Sequence, residues 1–167
     1  NKANTYMRIE EEIKLDYSDV LFRPKRSTLK SRKDVDLNRK YTFKYSKLSW
    51  KGTPIIASNM DGVGEIEVAK KLTSHKVMTA LTKQHNINQI SSIYKNSNFH
   101  KLVALSCGTS SESYSRLSKI LQKFPKFEFI CIDVANGYSE NFSHFVSNVR
   151  KKYPKKTIIA GNVVTAD

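Results

Sequence analysis

Cysteine is nearly missing from this 167-residue chain. Cys107 and Cys131 each lie at or inside an apolar run, without the spacing of a disulfide framework. Glycine and proline are sparse, at 6 and 4, beside 39% hydrophobic residues, the composition of an ordinary globular protein. No stretch has the length and apolarity needed to cross a membrane, and Asn1 to Arg8 lack the apolar centre of a signal peptide. A reduced, cytoplasmic location is the resulting expectation. No strand-like run leads into G-x-G-x-x-G, and no phosphate-gripping G-x-x-x-x-G-K occurs. His75, His85, His100 and His144 show no metal-ligand spacing, so no metal site is expected from these residues.

Acidic residues are also scarce, 15 against 29 Lys and Arg, a formal charge of +14. Such a charge fits either a polyanion partner or a lysine-rich solubilising surface. The lysines are spread over the helical segments, which favours the second reading and makes a nucleic-acid partner unlikely. One cluster differs. Arg23 to Lys33 packs basic residues with hydroxyls and shows neither helical nor strand period, so it reads as a phosphate-binding loop or as a solvated arm.

What the sequence does contain is a rhythm. Pro54–Ser58, Val77–Leu81, Leu102–Leu105, Phe129–Ile132 and Thr157–Ala160 are short apolar runs, most of them followed by polar residues and then a helical pattern. The helices are expected near Glu65–Ser74, from the Asn86/Gln89 capping pair, from Ser110 or Ser111 up to Pro125, and from Ser139-Glu140 to near Pro154. Strand starts recur about every 25 residues, room for helical crossovers and hence a parallel sheet. A doubly wound sheet and a (β/α)₈ barrel both fit this pattern. The missing Gly-rich fingerprint favours the barrel, in which the polar residues after every strand reach the same carboxyl-end face, where barrel enzymes keep their active sites.

Three of those residues are candidates on position. Asp133 follows an apolar strand directly and is placed to hold ribose hydroxyls or a cofactor amide, or else to brace a loop. Lys83 ends another strand, as a proton donor, a phosphate ligand or a solvated lysine. Cys107, with no histidine near it in sequence, reads as a small buried hydrophobe more readily than as a nucleophile.

Several long segments then carry a resemblance. Asp19-Val20-Leu21 with Arg23 to Arg32, Pro54 to Asp61, Ile132 to Glu140 and Ala160 to Thr165 together resemble GMP reductases, of the IMP dehydrogenase/GMP reductase family, from about Met7 to the end of the chain. Asn1 to Tyr6 read as an extension or cloning remnant. The resemblance implies the N-terminal portion of a single (β/α)₈ barrel, five βα-type strands ending before the catalytic loop, in a homotetrameric enzyme that uses NADPH to reduce GMP to IMP and ammonia. By the same resemblance Ser31, Arg32, Lys83, Asp133, Val134 and Ala135 contact the cofactor, Lys83 also serves the chemistry, and Met60 and Asn162 face the nucleotide.

Thr82, Gln84 and Gly62 depart from the family pattern, which has His on either side of the lysine and Thr at the third place. The family's catalytic cysteine, its threonine and glutamate proton-transfer partners and its K⁺ loop all follow the fifth strand and are expected outside this chain. An IMP dehydrogenase-like enzyme is the alternative within the family. It usually carries an insertion after the second βα unit, whereas the interval from Lys83 to Leu102 leaves room for one helix. A non-catalytic basic module that binds nucleotides or nucleic acid is the alternative outside it.

Overall fold

The structure is a computed structural model and describes residues 11–165. The expected extension, Asn1 to Tyr6, lies outside that range. The chain divides into two compact units at Val35. In the first, every described residue from 11 to 35 is exposed, and two short 3₁₀ turns, Tyr17–Asp19 and Arg32–Asp34, are its regular structure. Each turn is closed by a capping box. Ser31 Oγ accepts from Lys33 N–H at 3.3 Å while Asp34 returns a carboxylate oxygen to Ser31 N–H at 3.0 Å.

The second unit is a six-stranded sheet in sequence order. Its strands are β1 (Arg39–Thr42), β2 (Ser49–Ala57), β3 (Val77–Leu81), β4 (Val103–Cys107), β5 (Phe129–Asp133) and β6 (Thr157–Gly161). Pairing from β2 through β6 is parallel, as the spacing predicts. The connecting helices are α1 (Ile66–Ser74), α2 (Ile87–Tyr94), α3 (Ser97–Leu102), α4 (Ser111–Lys123) and α5 (Glu140–Lys152).

Three departures from the sequence expectation have physical causes. Strand β1 was not expected: all four of its residues are exposed, so no apolar alternation marks it, and it pairs antiparallel with the first half of β2. That pairing also starts β2 at Ser49, ahead of the expected start at Pro54. Pro54 lies where the β2–β3 register shifts, between Thr53 and Ile56, because proline has no N–H to give a ladder. Lastly, two short helices, α2 and α3, occupy the interval between Lys83 and Leu102 where one was expected. Asn96 starts the second by accepting from Asn98 N–H at 3.0 Å, and Leu102 belongs to it rather than to β4.

The sheet buries both faces of its central strands, so its residues divide by parity. Leu81, Val103, Leu105, Cys107, Ile130 and Ile132 pack under the helices with Ile90, Leu117, Ile120 and Val149. Met78, Ala80, Ala104, Phe129 and Cys131 point to the other side, with Trp50 and Leu102. Burying one such aliphatic or aromatic side chain is worth about 1.5–3 kcal/mol, so the helix-side cluster dominates the stability of this unit. Because Asp133 shares parity with Phe129 and Cys131, it leaves β5 on the side away from the helices.

Candidate functional site

Parallel strands deliver all their carboxyl ends to one rim, and the loops that leave β3, β4 and β5 there line a common cleft of about 620 Å³. Lys83 from the loop after β3, Gly108 and Thr109 from the loop after β4, and Asp133, Val134 and Ala135 from β5 and its loop meet in it. Four residues that the sequence singles out are thus brought together. Lys83 is exposed, whereas Asp133 and Val134 are half-buried. A lysine and an aspartate therefore both line the cleft with Val134 beside them, while the Asp133 side chain leaves β5 on the face opposite α4.

Each wall is fixed locally. The β3 loop is held from two sides: the Gly64 carbonyl accepts from Thr82 N–H at 2.9 Å and faces His85 Nε2 at 3.0 Å, and Arg116 on α4 donates to the His85 carbonyl. Glu65 stands 3.4 Å from the same imidazole nitrogen. With acceptors on that side, Nε2 carries a hydrogen. The β4 loop is tied to α4, because Gly108 N–H donates to Ser113 Oγ at 2.9 Å. The β5 loop is laid against the chain after β6: Val134 N–H donates to the Gly161 carbonyl at 2.9 Å and Asn162 N–H to the Val134 carbonyl at 2.8 Å.

Cys107, at the end of β4, is fully buried, and burial, with a smaller contribution from Cys131, pushes its thiol up to about 12. A neutral thiol under the helices is a packing residue, in line with the sequence reading. Burial also lowers the Arg116 guanidinium from its ordinary value. Met60 heads the turn after β2, its carbonyl accepting from Val63 and Gly64 N–H at 3.0 and 2.8 Å, with the side chain exposed. Asn162 is exposed beyond β6. Ser31 and Arg32 belong to the other unit, in the capped turn already described.

Sequence reasoning missed Arg116, Glu112 and Ser113, which line the cleft from α4. Their signal is present but ambiguous: they occupy the polar side of a helix whose buried stripe is Leu117, Ile120 and Leu121, and polar sides are usually solvated. Among the described residues no group of acidic, histidine or cysteine side chains is placed to hold a metal, and no helix is long and apolar enough to cross a membrane.

Parallel strands in sequence order, joined by helices and with their polar loops at one rim, define an α/β protein built of the βα units from which (β/α)₈ barrels are made. The family model for the IMP dehydrogenase / GMP reductase domain matches residues 14–167, and the chain belongs to that family. It is 51% identical over 163 residues to the GMP reductase of Vibrio atlanticus (strain LGP32), covering 96% of this chain and 47% of that protein. It is 50% identical over 163 residues to the GMP reductase of Escherichia coli (strain K12 / DH10B), with the same coverage of 96% and 47%. The chain thus spans about half the length of these relatives. Among solved structures, the inosine 5′-monophosphate dehydrogenase of Legionella pneumophila superposes with a TM-score of 0.67 at 26% identity, over 89% of this chain and 44% of that one.

Proposed function

We propose that this chain is the N-terminal part of a cytoplasmic, homotetrameric GMP reductase that catalyses the NADPH-dependent reductive deamination of GMP to IMP and ammonia. The observation that carries the reading is the meeting of Lys83 with Asp133, Val134 and Ala135 in one cleft at the strand ends, in a chain about half identical to proteins named GMP reductase. The donor set suits a nicotinamide cofactor. Asp133 supplies acceptors for a carboxamide or ribose hydroxyls, Val134 an apolar wall for the ring, and Lys83 a cation for phosphate or for proton transfer.

In the overall change the bond from C2 of the purine to its amino nitrogen breaks, a C2–H bond forms, and the nitrogen leaves as ammonia after taking up protons. The cofactor, when bound, supplies the hydride. Asp133 and Val134 orient it, and Lys83 supports the proton movements at the exposed lip of the cleft. Met60 and Asn162 contact the nucleotide. Ser31 and Arg32 read the phosphate that separates NADPH from NADH, through a hydroxyl and a guanidinium fork. The nucleophilic cysteine and a monovalent-cation site, such as one for K⁺, belong to sequence outside this chain.

The deciding experiment uses the full-length protein. GMP-dependent oxidation of NADPH with stoichiometric ammonia release supports the reading. IMP-dependent reduction of NAD⁺ instead would make the protein a dehydrogenase.

A further inference from the structure

Tyr138 has no part in the chemistry above, yet its hydroxyl is the meeting point of two loops. It accepts from two successive backbone amides beyond β6, Val164 N–H at 2.6 Å and Thr165 N–H at 2.7 Å. It also lies 3.1 Å from Thr165 Oγ1, close enough to share a hydrogen. A phenol oxygen has two acceptor sites, and these amides fill them. The base of the side chain is fixed as well. Asn136 Oδ1 accepts from Tyr138 N–H at 3.0 Å, and the next residue, Ser139, caps α5, which is rooted in the core by Phe142 and Val149.

The two loops also meet through backbone. Gly137 N–H donates to the Asn162 carbonyl at 2.9 Å, and a Cβ at position 137 would lie 2.6 Å from that oxygen and 2.8 Å from Val163 Cγ1. Only glycine permits this approach. Strand β6 ends at Gly161 and backbone bonds to Val134 and Gly137 hold Asn162, so beyond it the Tyr138 hydroxyl takes the place of a sheet ladder at Val164 and Thr165.

We infer that Tyr138 is a positioning residue that clamps the segment 162–165 against Asp133–Ala135 and so sets the distance between bound nucleotide and bound cofactor. The inference rests on the reading of Asn162 and Asp133–Ala135 given under Proposed function. Tyr138 acts through the backbone of Val164 and Thr165 and touches neither reactant.

The test is Tyr138→Phe in the full-length protein, which keeps the ring and deletes the acceptor. Hydrogen exchange at the Val164 and Thr165 amides is expected to accelerate about tenfold or more, with Ile158 to Ala160 still protected. The kcat for GMP-dependent NADPH oxidation is expected to fall about tenfold while both KM values stay within about twofold, the mark of lost alignment rather than lost binding. Faster exchange with an unchanged kcat overturns the functional role. Unchanged exchange overturns the clamp itself, and loss of protection throughout β6 would make Tyr138 a general structural residue and also overturn the proposal. If the parent protein shows no GMP-dependent oxidation, the functional reading is what fails, and the exchange data alone decide whether Tyr138 holds the segment.

Discussion

Lys83 follows β3 and Asp133 ends β5, and both line one cleft with opposite charge, so their loss should be felt in different steps. In the full-length protein Asp133→Ala is expected to impair productive placement of the nicotinamide, and Lys83→Ala to lower kcat more than it weakens GMP binding. Loss of one well-aimed charged group costs about a hundredfold in rate, and steady-state kinetics that left both variants at parental kcat and KM would refute the site. Arg32→Ala is expected to weaken NADPH by about 1.5–3 kcal/mol and leave NADH nearly unchanged, since a fork of guanidinium donors needs a phosphate to grip. An equal loss for both cofactors would assign Arg32 to folding or assembly. Asp133 was legible in the sequence because it directly follows Phe129 to Ile132. Arg116 and Tyr138 were not, because what they hold is backbone, 31 and 26 residues away, and backbone partners leave no trace in residue type.

Elements were legible where an apolar period or a cap announces them. The Asn86/Gln89 box, Ser110 and Ser139 all start the helices predicted from them. Strand β1 and helix α3 were hidden, the one by full exposure and the other by its six-residue length. The packing of loops on strand ends was hidden too. Gly64 is an example: a Cβ there would lie 2.6 Å from the Ala80 carbonyl and 3.0 Å from Thr82 N. Gly64→Ala should therefore push the β2 loop off the end of β3, destabilising the protein by about 1–3 kcal/mol in urea unfolding, and displace His85 with it. The strands also carry a pH dependence. Burial raises both Cys107 and Cys131 above the ordinary thiol value of 9.0. A thiol that holds its proton more tightly folded than unfolded contributes fully below 9.0, and its contribution is lost as pH rises from there towards about 12 for Cys107. Unfolding midpoints should fall across that window, and Cys107→Ser and Cys131→Ser together should flatten the fall.

For the whole molecule, the parallel sheet and its rim were predictable from spacing, whereas the catalytic cysteine in the reading under Proposed function is proposed to lie outside these residues. The 167 residues by themselves are accordingly expected to show no GMP reductase activity, and GMP-dependent NADPH oxidation by the purified chain would overturn this. Supplying the rest of a full-length relative as a separate polypeptide should restore turnover if the two pieces assemble. The competing reading as a nucleic-acid-binding module makes an opposite demand: an affinity for oligonucleotides that falls steeply as salt is raised.

The side of the sheet away from the helices has a further consequence for how this chain behaves in a tube. Tyr41, Phe43, Ile55, Ile56, Met78 and Phe129 line an apolar hollow of about 290 Å³ there, and Ile55 and Ile56 are 60% and 50% exposed. A face of this kind is adhesive. The charge of +14 opposes that adhesion by mutual repulsion, but repulsion between exposed charges is screened within about 10 Å at 0.1 M salt, while apolar attraction is not. Colloidal stability of the isolated chain is therefore a contest that added salt tips towards clustering, so it would keep best in dilute buffer, and light scattering would rise with ionic strength.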